Sequence, residues 1–401
     1  MRILLVHNFY GSSVPSGESA VVQAERRLLE ERGCEVERFY RYSDNIRDKG
    51  LLGMIEGGVV TPWNPFSARD IKKLVEAQRF DIVHVHNTFP LISPAIFSAI
   101  GGRAAKVLTL HNYRLFCPAG IPMRGGRVCT LCIENRTVLP AIGYGCYRGS
   151  RFATLPLAAS VSLHRRLGTW EKYVDAFVAL SEFQLRLMTR AGIPRELLHV
   201  KPNFFPGNPH VVAWEKRDDA VVFVGRISSE KGVKTLIRAW QAWGDAPELR
   251  IVGDGPLLSE IKALVEKYRL NVRFVGRLVP AKVLEEISRA RLLILPSEWF
   301  EGFPMVIREA FAYGTPVAVS NIGALGEIVE DGVTGVLFNP GDHSSLVEVV
   351  ESIWRRQGHL GKMAGAAREI FEQRYSEDKN YEMLMNIYNS AVARQSKKAA
   401  G

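Results

Sequence analysis

Two glutamates eight positions apart, Glu301 and Glu309, frame the most chemically suggestive stretch of the chain, Glu301-Gly302-Phe303-Pro304-Met305-Val306-Ile307-Arg308-Glu309. Pro304 suits the first turn of a helix, which leaves the backbone amides of Met305, Val306 and Ile307 pointing from a positive helix end where a phosphate can sit. Glu301, in the loop before that end, is suited to accept hydrogen bonds from sugar hydroxyls, and Glu309, inside the helix, from a ribose. As isolated residues both would read as ordinary helix-start and helix-face carboxylates. Earlier in the chain, Gly225-Arg226 and Lys231-Gly232 lie between an apolar run and a helical pattern. Two cations fixed at one strand end suit a diphosphate, Arg as a fork of donors and Lys as a point charge, and can stabilise a departing phosphate without a metal. Alone, they would equally describe a solvated loop. Gly253-Asp254-Gly255-Pro256 occupies a similar place, where glycine lets backbone approach a ligand, though the same residues make good turns. In the first half, Thr109-Leu110-His111-Asn112 puts His111 at a strand end. His84 and His86 end another run and read as ordinary polar residues. Pro15-Ser16-Gly17-Glu18-Ser19 precedes a helical pattern, so Gly17 could approach phosphates or simply belong to a capped helix start.

These residues need strand ends to hold them, and the pattern supplies two sets. Apolar runs at 2–6, 35–40, 82–86, 106–110 and 176–179 alternate with amphipathic stretches such as 19–32, 71–78 and 182–190, which predicts a parallel, doubly wound α/β sheet. The periodicity lapses after Lys201-Pro202-Asn203 and restarts at Ala220, with strands predicted at 220–224, 249–252, 272–275, 292–295, 317–319 and 335–337. The expected organisation is a domain over 1–203 with an insertion over about 112–166, a second over 204–375, and a last helical segment over 376–401. In open sheets ligands bind beyond the carboxyl ends of strands, so two such domains imply a ligand cleft.

With these motifs in place, the chain resembles the retaining family 4 of GT-B glycosyltransferases, which includes many bacterial polysaccharide and lipopolysaccharide enzymes. The resemblance covers nearly the whole chain and rests on Gly225-Arg226, Lys231-Gly232, Gly253-Asp254-Gly255-Pro256 and the Glu-x7-Glu of Glu301 and Glu309. It implies two Rossmann-like domains, the first binding the acceptor and the second a nucleotide sugar. It further implies that Arg226 and Lys231 contact the donor diphosphate, Glu301 the donor sugar and Glu309 the ribose. Gly225, Gly253, Gly302, Phe303, Met305 and Val306 belong to the same donor site, and Arg277 and Leu278 cradle the base. His111 lies beside the transferring sugar, followed here by Asn112 where the family often has Asp, and Gly17 belongs to a loop that commonly has paired glycines. The last helix crosses back to brace the first domain. The implied reaction moves a sugar from a nucleoside diphosphate to a hydroxyl of a growing, lipid-linked cell-surface glycan, with no cofactor needed for catalysis. A soluble synthase or phosphorylase acting on a small acceptor, or a non-catalytic sugar-nucleotide-binding regulator, would use the same scaffold.

Composition narrows the alternatives. With 47% hydrophobic and 23% charged residues, the 401-residue chain is ordinary globular protein, which excludes disordered and fibrous classes. Its formal charge of +10 is local: residues 1–203 hold 27 Lys+Arg against 17 Asp+Glu, while residues 204–401 hold 25 of each. Between Arg103 and Arg166, ten basic residues face only Glu134, interleaved with Phe116, Tyr144, Tyr147 and Phe152. That suits an anionic membrane surface or a lipid-linked pyrophosphate better than nucleic acid, with a plain solvated face as the bland alternative. The start, MRILLVHNFYG, is too short and polar for a signal peptide, and 152–163, the best apolar stretch, contains Pro156, so a cytoplasmic protein, peripheral on the inner face of the plasma membrane, is expected. Cys117, Cys129, Cys132 and Cys146 have a spacing that structural zinc could use, or they are ordinary thiols.

Overall fold

The alternation of short apolar runs with amphipathic stretches becomes, in the computed structural model, two six-stranded parallel sheets flanked by helices. Residues 1–11, 17–48 and 50–400 are described. The chain divides into one unit of residues 1–122, 129–202 and 380–401 and a second of residues 123–128 and 203–379.

The first unit is built from β1 (Arg2–Phe9), α1 (Gly17–Glu31), β2 (Glu35–Tyr42), α2 (Gly50–Val60), β3 (Ile82–Asn87), β4 (Ala105–Thr109), α3 (Arg151–Leu167), β5 (Ala176–Ala179) and β6 (Leu198–Val200), with strand order β2-β1-β3-β4-β5-β6. Ile3, Leu4, Leu5 and Val6 are all fully buried, as a strand covered on both faces requires. The second unit comprises β7 (Asp218–Val224), α4 (Val233–Ala242), β8 (Glu248–Val252), β9 (Val272–Gly276), β10 (Ala290–Leu295), α5 (Met305–Ala312), β11 (Val317–Ser320) and β12 (Gly335–Phe338), ordered β9-β8-β7-β10-β11-β12. Strand order reverses direction between β1 and β3 in one sheet and between β7 and β10 in the other. Those switch points are where loops part and a ligand can enter.

The final helix, α6 (Glu377–Ala400), ends in the first unit. Its Leu384, Ile387, Tyr388 and Ala391 recur at helical spacing and bury against Ile3, Leu5, Ile82, Val107 and Val178. Several elements escape the sequence pattern, β6 and α2 among them. β6 has only three residues, and α2 carries Gly53, Gly57 and Gly58, which are poor helix formers. The glycines serve packing: a Cβ on Gly58 would lie 3.4 Å from Pro156 of α3. No helix among the described residues is long and apolar enough to cross a membrane.

Glu25 sits on the buried stripe of α1, between Val21 and Val22 on one side and Leu28 and Leu29 on the other. An acid there needs a partner, and Lys201 Nζ supplies it, 3.0 Å from Glu25 Oε2 with both side chains 1% exposed. Lys201 also donates to Asn380 of α6 at 3.2 Å, and Asn380 donates to the Pro202 carbonyl at 2.8 Å. Lys201→Met therefore leaves a buried carboxylate uncompensated and should lower unfolding free energy by about 3–5 kcal/mol. A urea titration with an unchanged midpoint would show that the pair holds nothing together.

Candidate active site

In the second unit the switch point is assembled by close backbone approach. Gly232 follows Lys231 with φ +66°, and a Cβ there would lie 1.8 Å from the Pro296 carbonyl oxygen, so only glycine allows the β7 loop to touch the loop after β10. The Glu298 amide donates to the Glu230 carbonyl at 2.9 Å and Thr235 Oγ1 to Glu298 Oε1 at 2.6 Å, which fixes the two loops in register. Lys231 and Glu301 meet as a result. Lys231 Nζ lies 2.6 Å from Glu301 Oε1, and the same oxygen accepts from Ser297 Oγ at 2.7 Å and Trp299 Nε1 at 3.0 Å. Glu301 is 5% exposed, and the ammonium also sits 5.5 Å from the centre of the Trp299 ring.

The other second-half residues singled out by their spacing fall in the same unit. Arg226 is exposed in the loop after β7, beside Gly225, and Arg277 and Leu278 follow β9. Gly253 closes β8 against that loop, since a Cβ on it would lie 1.9 Å from the Gly225 carbonyl oxygen. Gly302 and Phe303 lead into α5. Pro304 is the residue before the helix, with ψ 121°, so α5 begins at Met305. The expectation of three open amides needs correcting, because the Ile307 amide already donates to the Pro304 carbonyl at 3.2 Å. Met305 and Val306 remain at the positive end. Glu309 lies on α5, its carboxyl pushed above the usual range by burial and drawn back by Arg308. Arg308 itself is 5% exposed and brought down to about 10 by burial; the sequence reading passed over it.

In the first unit, His111 follows β4 and belongs to a chain of contacts that the sequence reading missed. His111 Nε2 lies 3.0 Å from His86 Nδ1, and His86 Nε2 lies 3.3 Å from Glu25 Oε1. His84 Nδ1 reaches the same oxygen at 3.1 Å and Tyr388 Oη at 2.8 Å, and His84 Nε2 faces Thr109 Oγ1 at 2.8 Å. His84 and His86 are buried strand residues with polar partners, and the signal for the network that joins them was an acid on the apolar stripe of α1 together with histidines two apart in a strand. Burial would raise the Glu25 carboxyl, but Lys201 and His84 hold it well below the usual range. The Glu25 carboxylate, His86 and His111 thus form one line of contacts from α1 to the strand end. Glu25, His84 and His86 place three potential ligand atoms within 4.8 Å of one another, the histidines meeting Glu25 Oε1 while the Lys201 ammonium sits on Oε2.

Gly17 opens α1, while Pro15 and Ser16 lie outside the described residues. Cys117, Cys129, Cys132 and Cys146 come near one another, Cys117 towards Cys132 and Cys146, and Cys132 towards Cys129 and Cys146. Among the described residues no three cysteine sulfurs come within 4.8 Å of one another. Cys117 bonds the Ile121 carbonyl at 3.6 Å, and burial pushes its thiol up to about 12, so it is a poor source of thiolate. Part of the basic excess is also internal: Lys106 is 4% exposed and pairs with Asp175, and Arg165 lies over the Phe116 ring.

Comparison with known proteins bears on both units. Residues 15–206 match Glycosyltransferase Family 4 and residues 207–370 match Glycosyl transferases group 1. An uncharacterised glycosyltransferase of Methanocaldococcus jannaschii is 30% identical over 344 residues, 82% of this chain and 81% of that one. The chain belongs to the group 1 glycosyltransferases. A glycogen synthase of Mycobacterium tuberculosis is 36% identical over 154 residues, and this chain spans only 37% of its length. Among solved structures, Anabaena HepE in complex with UDP has a TM-score of 0.64 at 19% identity, over 97% of this chain and 100% of that one, a likeness of fold. The two parallel-sheet units are those of the GT-B glycosyltransferases.

The histidine cluster of this glycosyltransferase sets a pH limit. Burial, with His86 close by, brings His7 down to about 3 and His84 to about 4, and holds His111 well below its ordinary value. Unfolded histidines titrate near 6.5, so below that the unfolded chain takes up protons the folded one refuses. The histidines' contribution is full above about pH 6.5 and should fall by roughly 1.4 kcal/mol per histidine for each unit down towards pH 4, offset in part by Glu18, whose carboxyl burial raises to about 8. Urea midpoints at pH 7 and pH 5 check this, and equal midpoints would refute it.

Proposed function

We propose that the protein is a retaining glycosyltransferase that moves a sugar from a nucleoside diphosphate to a hydroxyl of a growing, lipid-linked cell-surface glycan. The observation that carries the donor half is the Lys231–Glu301 pair at the switch point of the second sheet, beside Arg226 and the open amides of Met305 and Val306. In this reading Arg226, Lys231 and those amides take the charge of the leaving diphosphate with no metal, since fixed donors need no reorganisation as charge develops. Lys231 must then share its ammonium between phosphate and Glu301, which ties the diphosphate to the sugar that Glu301 holds. Glu309 binds the ribose, Arg277 and Leu278 the base, and Gly17, Gly225, Gly253, Gly302 and Phe303 supply backbone close to the donor. His111 offers Nδ1 to the transferring sugar, and the acceptor attacks from the face the diphosphate leaves. HepE, whose structures include complexes with UDP and UDP-glucose, supports a nucleotide-sugar donor.

The acceptor half rests on the basic, aromatic-containing region after His111 and on family membership. It makes the protein one that works at the cytoplasmic face of a membrane, as a peripheral enzyme on anionic lipid. Native mass spectrometry against UDP-, GDP- and ADP-sugars identifies the donor, and transfer assays with lipid-linked and free sugar acceptors then test the reaction. Lys231→Ala and Glu301→Gln should each lower kcat by about 100-fold or more, the scale of losing one preorganised charge contact. Near-normal turnover in either variant would remove that residue from the mechanism, and equal transfer to a free monosaccharide would remove the lipid-linked acceptor.

A further inference from the structure

Between α2 and α3 the first unit holds an open groove of about 1090 Å³ that no residue of the proposed donor chemistry uses. Ile55 and Val59 line it from α2, and Phe152, Ala153 and Pro156 from α3. Its mouth is unusually apolar for a free surface: Val59 is 71% and Phe152 85% exposed, with Ile55 at 56% beside them. The contact of Gly58 with Pro156 brings the two helices together along the groove.

The groove also has a charged wall. Arg114 and Arg148 both line it, and Tyr147 stands between them, with Arg114 5.8 Å and Arg148 5.3 Å from its ring centre. Arg114 Nε is buried and makes no hydrogen bond among the described residues, although Nη1 donates to the Pro118 carbonyl. The acid nearest in charge, Glu18, is pushed up to about 8 by burial against the pull of Arg114, so it leaves that guanidinium largely uncompensated at neutral pH. Thr61, Phe89, Arg114 and Leu157 are shared with the cavity that His86 and His111 wall. An apolar channel, an unsatisfied cation and His111 thus follow one another inside a single unit.

We propose that this groove binds the hydrocarbon chain of a lipid phosphate, with the phosphate on Arg114 and Arg148 and the attached group directed towards His111. Hydrocarbon burial and charge complementarity select the same occupant: an apolar surface wants a chain, and a guanidinium that lines the groove with no ion pair among the described residues wants an anion at that chain's end. The inference rests on the lipid-linked-acceptor reading above and gives it a location.

The test is direct binding to the full-length protein, by equilibrium dialysis below micellar concentration, with three probes: farnesyl diphosphate, farnesol and inorganic pyrophosphate. Farnesyl diphosphate should bind at least about tenfold more tightly than pyrophosphate, because the chain adds buried apolar area. Ala153→Trp, which fills the groove, should weaken it at least about tenfold, and Val59→Glu on the opposite helix should do the same if the Trp variant folds poorly. Arg114→Met should weaken farnesyl diphosphate while sparing farnesol. UDP binding by the variants reports that the rest of the chain is intact. Equal affinity for farnesyl diphosphate and pyrophosphate, or wild-type binding by both groove variants, overturns the proposal. So does a dimer that Ala153→Trp and Val59→Glu dissociate, which would make a second copy the occupant. Because no transfer is measured, binding in the groove with transfer only to soluble sugars would keep the site and reject the lipid-linked acceptor. Transfer to a lipid-linked acceptor that the groove variants leave untouched would do the reverse.

Discussion

The buried Glu25–Lys201 pair is the constraint on which the first unit's geometry depends. It joins three parts of the chain far apart in sequence: α1 near the start, the residue before the chain leaves the unit at Pro202, and, through Asn380, the point where it returns. A buried ion pair is costly in desolvation and is weak evidence of stability for its own sake. Here the cost has a structural return. The carboxylate is the common partner of Lys201, His84 and His86, so the position of β3, and with it the orientation of His111, follows from where that single acid is held. Tyr388 places α6 on the same cluster, which is why the last helix is part of the first unit's core and not an appendage.

The second unit reaches its chemistry by a different route. No buried pair of distant elements is needed, because backbone contact alone brings the loops together. Gly232 against Pro296 and Gly253 against Gly225 set distances that no side chain could tolerate, and Lys231 and Glu301 fall into contact as a consequence. Three donors on one carboxylate oxygen then fix Glu301 before any ligand arrives, which is the preorganisation that charge-stabilising sites require.

These two routes explain what was legible in the sequence. Backbone-built sites leave short, local signatures: glycine beside a cation, glycine between turns, proline before a helix, all at strand ends marked by a change of hydrophobic period. The sheets, the lapse of pattern near Pro202, and the nearness of Lys231 to Glu301 were accessible for that reason. Side-chain networks that span the chain leave no such signature. His86 and Glu25 are 61 residues apart and Lys201 a further 115, so nothing local announces that they meet. The cysteines show the converse difficulty: Cys-x2-Cys is a local pattern, but what it serves depends on where Cys117 and Cys146 are carried, and Cys132 lies in the short helix Leu131–Glu134 while Cys117 turns its thiol to a carbonyl.

The charge asymmetry changes meaning in the same light. Counted along the sequence, the stretch from Arg103 to Arg166 is one basic block, and a block suggests a surface that attracts anions in general. In the fold its members separate by environment. Lys106 and Arg165 are turned inward, where a carboxylate or an aromatic ring receives them, and Arg103 pairs with Glu76. Arg114 is held between Phe89 and Tyr147 with a donor unused, on the wall of an apolar groove. A cation already matched by the protein adds little to ligand affinity, whereas one held in place and left unmatched adds both affinity and direction. What makes this region specific is therefore not its total charge but where each of its charges is held.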